Sequence, residues 1–474
     1  MSQRREKHIA IVGGGLVGAL NACFLAKRGF KVDVYEKRPD IRTQEIVRGM
    51  SINLTMSSRG RDALRHVGLE HDVVDCSTPM YGRMIHELDG ATRPILYGKP
   101  DQYIMSVDRR KLNELLLTAT EKYPNIALHF QHKLVSCDFQ TGEMVFEKPE
   151  GERLTRHADV IIGCDGAYSA VRQQLMKCTL MYYEQTYIPH GYLELRIPKT
   201  PDDKYAMAIN YLHLWPRNQF MMIALPNQDK TYTTTLIMPF EIFKQIDSEE
   251  KVVDFFKTHF PDSIQFLGEE NLKKTYMSGS ARPVVSVKCH PYHVGDRGLI
   301  MGDATHAMVP FYGQGMNAGL EDCIVFEEML DQYDNDFSKA LPAFTEMRNI
   351  DAKAICDLAM YNYIELREAV NSPLFVPRKV LDNVLYYLFP NTWIPLYTMV
   401  SFTRIRYHQC ILQREWQDQV LRRVGYGFAT VGAFLGCYML RDNVQIHKTS
   451  LFGVPYWLSG QLSGISESLK TWIK

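Results

Sequence analysis

The stretch from His8 to Glu36 constrains the fold of this chain more than any other. Ile9 to Val12 is a short apolar run that reads as a strand buried on both faces. Gly13, Gly15 and Gly18 follow in G-x-G-x-x-G spacing, and Leu16 to Arg28 reads as a helix with apolar residues at 16, 20, 24 and 25. Gly29 stops that helix, and Lys31 to Tyr35 is a second strand ending at Glu36. One glycine makes the tight turn, one lets backbone N–H groups approach a pyrophosphate, and one lets helix pack on strand. The helix N-terminus offers free N–H groups and a partial positive charge to the phosphates. Glu36 lies eighteen residues beyond Gly18, where an acidic side chain binds ribose hydroxyls. The pattern predicts a dinucleotide site on a parallel α/β sheet.

With 474 residues the chain has room for two or three domains and a large core. The formal net charge of zero and the pI near 7.2 argue against nucleic-acid binding. Ten cysteines are scattered without a C-x-x-C, which excludes a zinc-finger spacing or a disulfide framework and fits a reducing compartment. No metal site is expected. Met1 to Lys7 is polar and runs straight into the first strand, so no signal or transit peptide fits before it.

Further along, Ser58 reads as the N-cap of a helix through His66. Asp89-Gly90 marks a hairpin between two alternating stretches. With a three-residue loop from Asp89 to Ala91, Arg83 lies directly across from Tyr97. The pair reads either as a carboxylate clamp or as an exposed arginine on a sheet. Asp108 caps a helix from Arg109 to Tyr123, whose first-turn arginines 109 and 110 oppose the helix dipole and so suit an anionic partner. Ala127–Phe130 and Lys133–Cys137 read as strands, and Gly142–Phe146 as part of a hairpin.

Asp159 to Gly163 is a second buried strand, closed by Asp165-Gly166, and a helix begins at Tyr168. That turn is either a ligand-facing strand end or an ordinary turn. From Tyr187 to Pro239 four alternating strands, punctuated by proline, predict an antiparallel sheet in a separate layer. Asp296 to Asp303 repeats the strand-then-Gly-Asp pattern, and Gly313-Gln-Gly315-Met-Asn317 opens a helix running to Gln332. This is a second glycine-opened helix N-terminus. His306 is read as structural rather than as a base. Ser338 to Leu366 is helical, and its Asn362 is either a pocket amide or a surface one.

Val424 to Leu440 is uncharged for seventeen residues, between Arg422-Arg423 and Arg441. At the helical rise it spans roughly 26 Å, marginal for a bilayer of ~30 Å, so it reads as a membrane span or a buried core helix. Arginines between 404 and 423 favour a cytosolic N-terminal side. After Ser450, apolar residues 458, 462, 465, 469 and 472, with Trp457, suit an interface-lying helix.

Three segments stand together: Gly13-x-Gly15-x-x-Gly18 with Glu36, Cys164-Asp165-Gly166, and Gly302-Asp303 with Gly313-Gln-Gly-Met-Asn317. This trio resembles the single-component aromatic flavin hydroxylases. Gly163-Cys-Asp-Gly-Ala-Tyr168, Tyr187-Ile-Pro-His-Gly-Tyr192, Pro226-Asn and Pro395-Leu-Tyr-Thr-Met-Val400 extend the likeness along nearly the whole chain. The resemblance implies FAD across the first turn at Gly13, Gly15 and Gly18, with Val17, Tyr35, Glu36, Lys37 and Arg38 around the adenosine end. It adds Thr55, Arg109 and Leu134 along the cofactor, and Asp303 on the ribityl chain. Gly315, Met316 and Asn317 then face the isoalloxazine, and Asp165 and Gly166 serve FAD and the reduced nicotinamide. Arg83, Tyr97, Asn362 and Tyr397 match positions that hold a substrate's amino-acid group.

The resemblance also implies the reaction. NADPH reduces FAD, O2 is activated at flavin C4a, and the ring of L-kynurenine is hydroxylated ortho to its own amino group. The flavin carries the chemistry, so no catalytic side chain is assigned. No second G-x-G-x-x-G exists, so NADPH docks transiently. A flavin hydroxylase or dehydrogenase acting on another substrate, or a non-catalytic escort-type relative with the same nucleotide fold, fits the same motifs. The expected architecture is a Rossmann-like FAD-binding domain (1–80, 103–180, 280–345) and an antiparallel-sheet substrate domain (81–102, 181–279). A C-terminal helical region (346–423) and a membrane anchor with amphipathic tail (424–474) complete it. The implied location is the mitochondrial outer membrane, with the catalytic body facing the cytosol.

Overall fold

The computed structural model of the chain describes residues 7–45, 53–367 and 375–449. The chain divides into two units, Met1–Leu412 and Gln413–Lys474.

The first unit is built on a six-stranded sheet. Its spatial order is His293–Val294, Gly298–Ile300, Val160–Gly163, His8–Val12, Lys31–Glu36 and Ile126–Phe130. All pairings are parallel except the edge pair at His293–Val294. Ile9, Ala10 and Ile11 on one central strand and Val160, Ile161 and Ile162 on the next have no exposed surface. That burial on both faces explains why these strands read as continuous apolar runs rather than alternating ones. The helix Leu16–Lys27 follows the first strand and is buried from Gly18 to Ala26, which is more than the single stripe the sequence suggests.

A seven-stranded sheet makes the other layer, in the order Arg282–His290, Tyr182–Ile197, Tyr232–Pro239, Phe220–Pro226, Tyr211–Arg217, Gly82–His86 and Thr92–Leu96. The sequence predicts an antiparallel sheet, but one pairing differs: Tyr211–Arg217 runs parallel to Gly82–His86. The segments reach this pairing from distant parts of the chain, so no hairpin dictates their direction. Arg282–His290, placed with the nucleotide layer by the sequence division, pairs instead with Tyr182–Ile197 in this sheet. The strand expected to start at Tyr192 starts at Tyr182 and passes through Pro189. The register shifts between Tyr187 and Gly191, so the proline sits at an irregularity where no ladder hydrogen bond is required of it.

Local capping follows the sequence with small displacements. Asp108 accepts from the Lys111 N–H at the start of the helix Arg109–Thr120. The cap of Ser58–His66 is Ser57, not Ser58, and its side chain makes no capping bond. The helix after Asp165-Gly166 is Ala170–Cys178, capped by Ser169, rather than one starting at Tyr168.

In the second unit the described residues belong to the helix Tyr407–Thr449. Tyr426, Phe428 and Phe434 are 71%, 75% and 78% exposed, so this stretch is not a buried core helix. Among the described residues no helix is long and apolar enough to cross a membrane. The predicted amphipathic tail after Ser450 lies outside the described residues.

Candidate active site

The first glycine corner has the geometry the spacing demands. Gly13 has φ +107°, and a side chain there would meet the Cys164 carbonyl oxygen at 2.4 Å. A Cβ on Gly18 would come within 1.9 Å of the Gly13 carbonyl oxygen. Gly15 differs: nothing of the protein lies within 4 Å of where its Cβ would be. The first and third glycines therefore serve chain packing, and the second keeps open the space a pyrophosphate needs. Glu36 Oε2 accepts from the Gly14 N–H at 2.9 Å, and Oε1 accepts from the Arg38 N–H and Nε. Burial raises the Glu36 carboxyl, but Arg38 and the two N–H groups outweigh it and hold it below the usual carboxylate range. It is thus an anion with acceptor capacity left for ribose hydroxyls. The Tyr35 ring is buried between His129 and Phe146, at 4.7 and 4.2 Å between ring centres. Lys37, Arg38 and Arg109 are exposed, and Leu134 is buried.

The other two glycine corners meet the first. Gly302 has φ +63°, and a Cβ there would sit 3.0 Å from Val17 Cγ2. Asp165 caps the next helix through Oδ2, which accepts from the Ala170 and Val171 N–H groups at 2.6 and 3.1 Å. Its Oδ1 is buried with no hydrogen-bond partner among the described residues. An orphaned carboxylate oxygen beside this loop calls for a donor from a bound group. The Asp303 carboxylate is exposed at the start of a short helix. An open Gly15, an orphaned Asp165 oxygen and an exposed Asp303, gathered around Val17, fit FAD. Asn317 is used differently from expectation. Its Oδ1 accepts from the Ser57 N–H at 2.8 Å, and its Nδ2 donates to the Thr55 and Gly313 carbonyls at 2.8 and 2.7 Å. The side chain is consumed in bracing the loop, and Thr55 Oγ1 donates to the same Gly313 carbonyl at 3.3 Å. The backbone at Gly315, Met316 and Asn317 remains for the flavin.

Arg83 is brought into a box of tyrosines. The hairpin turns one residue earlier than predicted, with Glu87 N–H donating to the Ala91 carbonyl, so Arg83 pairs with Ile95 rather than Tyr97. Arg83 and Tyr97 are diagonal neighbours on one face, within reach of long side chains. The guanidinium carbon lies 5.9 Å from the Tyr97 ring centre and 4.8 Å from that of Tyr397. Tyr97 stacks on Tyr397 at 5.1 Å, and Tyr397 on Tyr312 at 5.6 Å. Arg83 is 7% exposed, which removes the reading of a surface arginine. Among the described residues no carboxylate or carbonyl oxygen pairs with the guanidinium, and the buried Tyr97 hydroxyl is influenced by Tyr397 and Arg83. Asn362 is buried, with its Nδ2 donating to the Phe311 carbonyl at 2.8 Å, beside Tyr312. A planar cation without an anionic partner in contact, walled by aromatic faces, is prepared for a carboxylate.

Sequence reasoning missed Tyr312 and a buried ionic network beneath the flavin corner. Arg59 Nη1 donates to Glu321 Oε1 at 2.6 Å, and Arg348 bridges Glu321 at 3.0 Å and Asp322 at 2.6 Å. Asp322 Oδ2 accepts from the Gly302 N–H at 2.9 Å and pairs with His306 Nε2 at 2.7 Å. His306 is structural, as expected. Arg348 lies in a long helix with no local signature, so nothing in its neighbourhood marks it.

The fold and the three glycine corners define an FAD-binding flavoprotein. The FAD binding domain family matches residues 6–332. The solved 2-methyl-3-hydroxypyridine-5-carboxylic acid oxygenase shares the fold at TM-score 0.63 and 18% identity, covering 78% of this chain and 95% of that one. The kynurenine 3-monooxygenase of Anopheles gambiae is 53% identical over 441 residues, 92% of this chain and 91% of the relative. That of Sus scrofa is 52% identical over 439 residues, 93% of each. The chain belongs to the kynurenine 3-monooxygenase family.

Proposed function

We propose that this chain converts L-kynurenine, NADPH, O2 and a proton to 3-hydroxykynurenine, NADP+ and water. The observation that carries the reading is the buried Arg83 guanidinium, with no carboxylate or carbonyl partner among the described residues, in a wall of Tyr97, Tyr397 and Tyr312. Bound FAD supplies the acceptance of hydride and the activation of O2. The protein's own share is positioning. Arg83 and the Tyr97 hydroxyl hold the carboxylate, the stacked tyrosines exclude water, and Asn362 braces the loop at Phe311. The helix Gly315–Gln332 offers the free N–H groups of its first turn to negative charge on the flavin. The substrate ring is activated by its own ortho-directing amino group, so no strong side-chain base is required.

The test is product analysis after mixing protein, FAD, NADPH and kynurenine in air. 3-Hydroxykynurenine carrying label from 18O2 supports the reading. NADPH consumption with no hydroxylated product, or a product without the label, refutes it.

The same proposal places the protein at the mitochondrial outer membrane, with its body in the cytosol and its C-terminal segment on the bilayer. Support comes from the exposed aromatic side chains of Tyr426, Phe428 and Phe434, flanked by Arg422 and Arg423.

A further inference from the structure

Arg83 explains how a carboxylate is held, but an α-amino acid carries two charges. An α-keto or des-amino analogue presents the same carboxylate and ring, so a site that selects the amino acid needs an anion at the other end of the zwitterion. Few side chains are placed to supply it. Glu365 lies three residues after Asn362 on the helix Phe337–Arg367, so the two share a face one turn apart. Asn362 is tied to Phe311, next to Tyr312, and Tyr312 stacks on Tyr397, whose ring lies under Arg83. This chain of contacts brings the end of the helix to the clamp. The electrostatic influence of Glu365 reaches Arg83, Tyr312 and Lys379.

Glu365 is half-buried and, among the described residues, makes no hydrogen bond and no ion pair. Its carboxylate therefore keeps its acceptor capacity for a bound group. Glu365 is thus an anion on the helix face that carries Asn362, near enough to influence Arg83 and the buried Lys379. We propose that Glu365 accepts the α-ammonium group of the substrate, so that Arg83 and Glu365 together select an α-amino acid over its des-amino analogue. The assignment deepens the kynurenine reading and rests on it.

The test uses the full chain with FAD bound and two ligands: L-kynurenine and 4-(2-aminophenyl)-4-oxobutanoate, which lacks only the α-amino group. Binding is followed by the perturbation of flavin absorbance, and turnover by product formation. Wild type is expected to bind kynurenine about 10- to 100-fold more tightly than the analogue, the range for a charge-assisted hydrogen bond. Glu365→Gln is expected to remove that preference by weakening kynurenine while leaving the analogue unchanged, and Glu365→Asp to restore part of it. A merely structural role would weaken both ligands alike, and that result overturns the proposal. Equal binding of both ligands by wild type also overturns it, while leaving the Arg83 clamp standing. Failure of wild type to bind either ligand removes the kynurenine reading, and this proposal with it. Flavin content of the purified variants reports whether Glu365→Gln has folded, and the Asp variant carries the comparison if it has not.

Discussion

Val17 lies against Gly302: a Cβ added at Gly302 would come 3.0 Å from Val17 Cγ2, and one at Gly319 only 2.7 Å from the same atom. The helix behind the first glycine loop thus touches both the Gly-Asp turn and the helix that opens at Gly315. Residues about 300 positions apart in the chain form one wall of one site. Gly302→Ala is expected to lose FAD, because the methyl meets Val17 and the +63° φ disfavours alanine. The ratio of flavin to protein absorbance checks it, and full flavin content in a folded variant contradicts the convergence.

Gly15 and Gly18 are expected to fail differently. Gly18→Ala drives a methyl into the Gly13 carbonyl oxygen and destabilises the fold itself. Gly15→Ala meets no protein atom within 4 Å, so the apoprotein keeps its stability and loses cofactor affinity. Thermal melts with and without added FAD separate the two. If Gly15→Ala binds FAD normally, that space does not receive the pyrophosphate.

Arg83→Ala is expected to leave FAD bound and to weaken kynurenine roughly 100-fold or more, the usual consequence of truncating one partner of a desolvated charge pair. Kynurenine-stimulated NADPH oxidation reports it directly. Unchanged stimulation would remove Arg83 from the site.

Asp322 connects the ionic network to Gly302. Burial raises its carboxyl, but His306, Arg348 and the Gly302 N–H outweigh burial and hold it below its ordinary range. A carboxyl whose folded pKa is depressed contributes stability that is present above its unfolded pKa and lost as pH falls through the folded one. Asp322→Ala is expected to cost about 3–5 kcal/mol at neutral pH by leaving Arg348 buried and unpaired at one end. Its stability should also fall less steeply than that of wild type toward acid pH. Denaturant melts across that range test both points, and parallel curves count against the linkage.

Lys379, on the helix Phe375–Leu388, is pulled down to about 7 by burial and by the Arg83 charge. The unfolded chain keeps this proton to higher pH, so a charged Lys379 burdens the folded state below its folded pKa, and stability rises as pH climbs from there toward the unfolded value. Wild-type stability should therefore rise more steeply than that of Lys379→Met as pH climbs from about 7. Denaturant melts across that range test it, and parallel curves would exclude the burden.

Removal of residues 423–474 is expected to release the protein from membranes into the soluble fraction with its flavin bound. Continued pelleting would show that another surface holds it there.

The glycine loop, its two strands, Glu36 and the Asp108 cap were legible because each depends on neighbours within a few residues. Where reading failed, the deciding contact was remote. Asn317, which the resemblance sets at the flavin, has its side chain taken by Ser57, Thr55 and Gly313, a use that its neighbours in sequence do not announce. The Arg83 hairpin lies where expected, but its turn falls one residue earlier and its register differs by two residues, because Asp89-Gly90 marks a turn without stating where the ladder closes. Tyr312 and Arg348, which pack around the site, carried no local mark at all.

The sequence by itself determined that a dinucleotide is bound at the C-terminal edge of a parallel sheet, because backbone reach and helix polarity follow from glycine spacing alone. The tertiary structure alone decided what lies beside that cofactor. It carried Arg83 from a hairpin, Tyr397 from a late helix and Tyr312 from a loop into one buried box. Charge and aromatic surface act through distance in space, and distance in space between remote segments is set by packing, which no local spacing records.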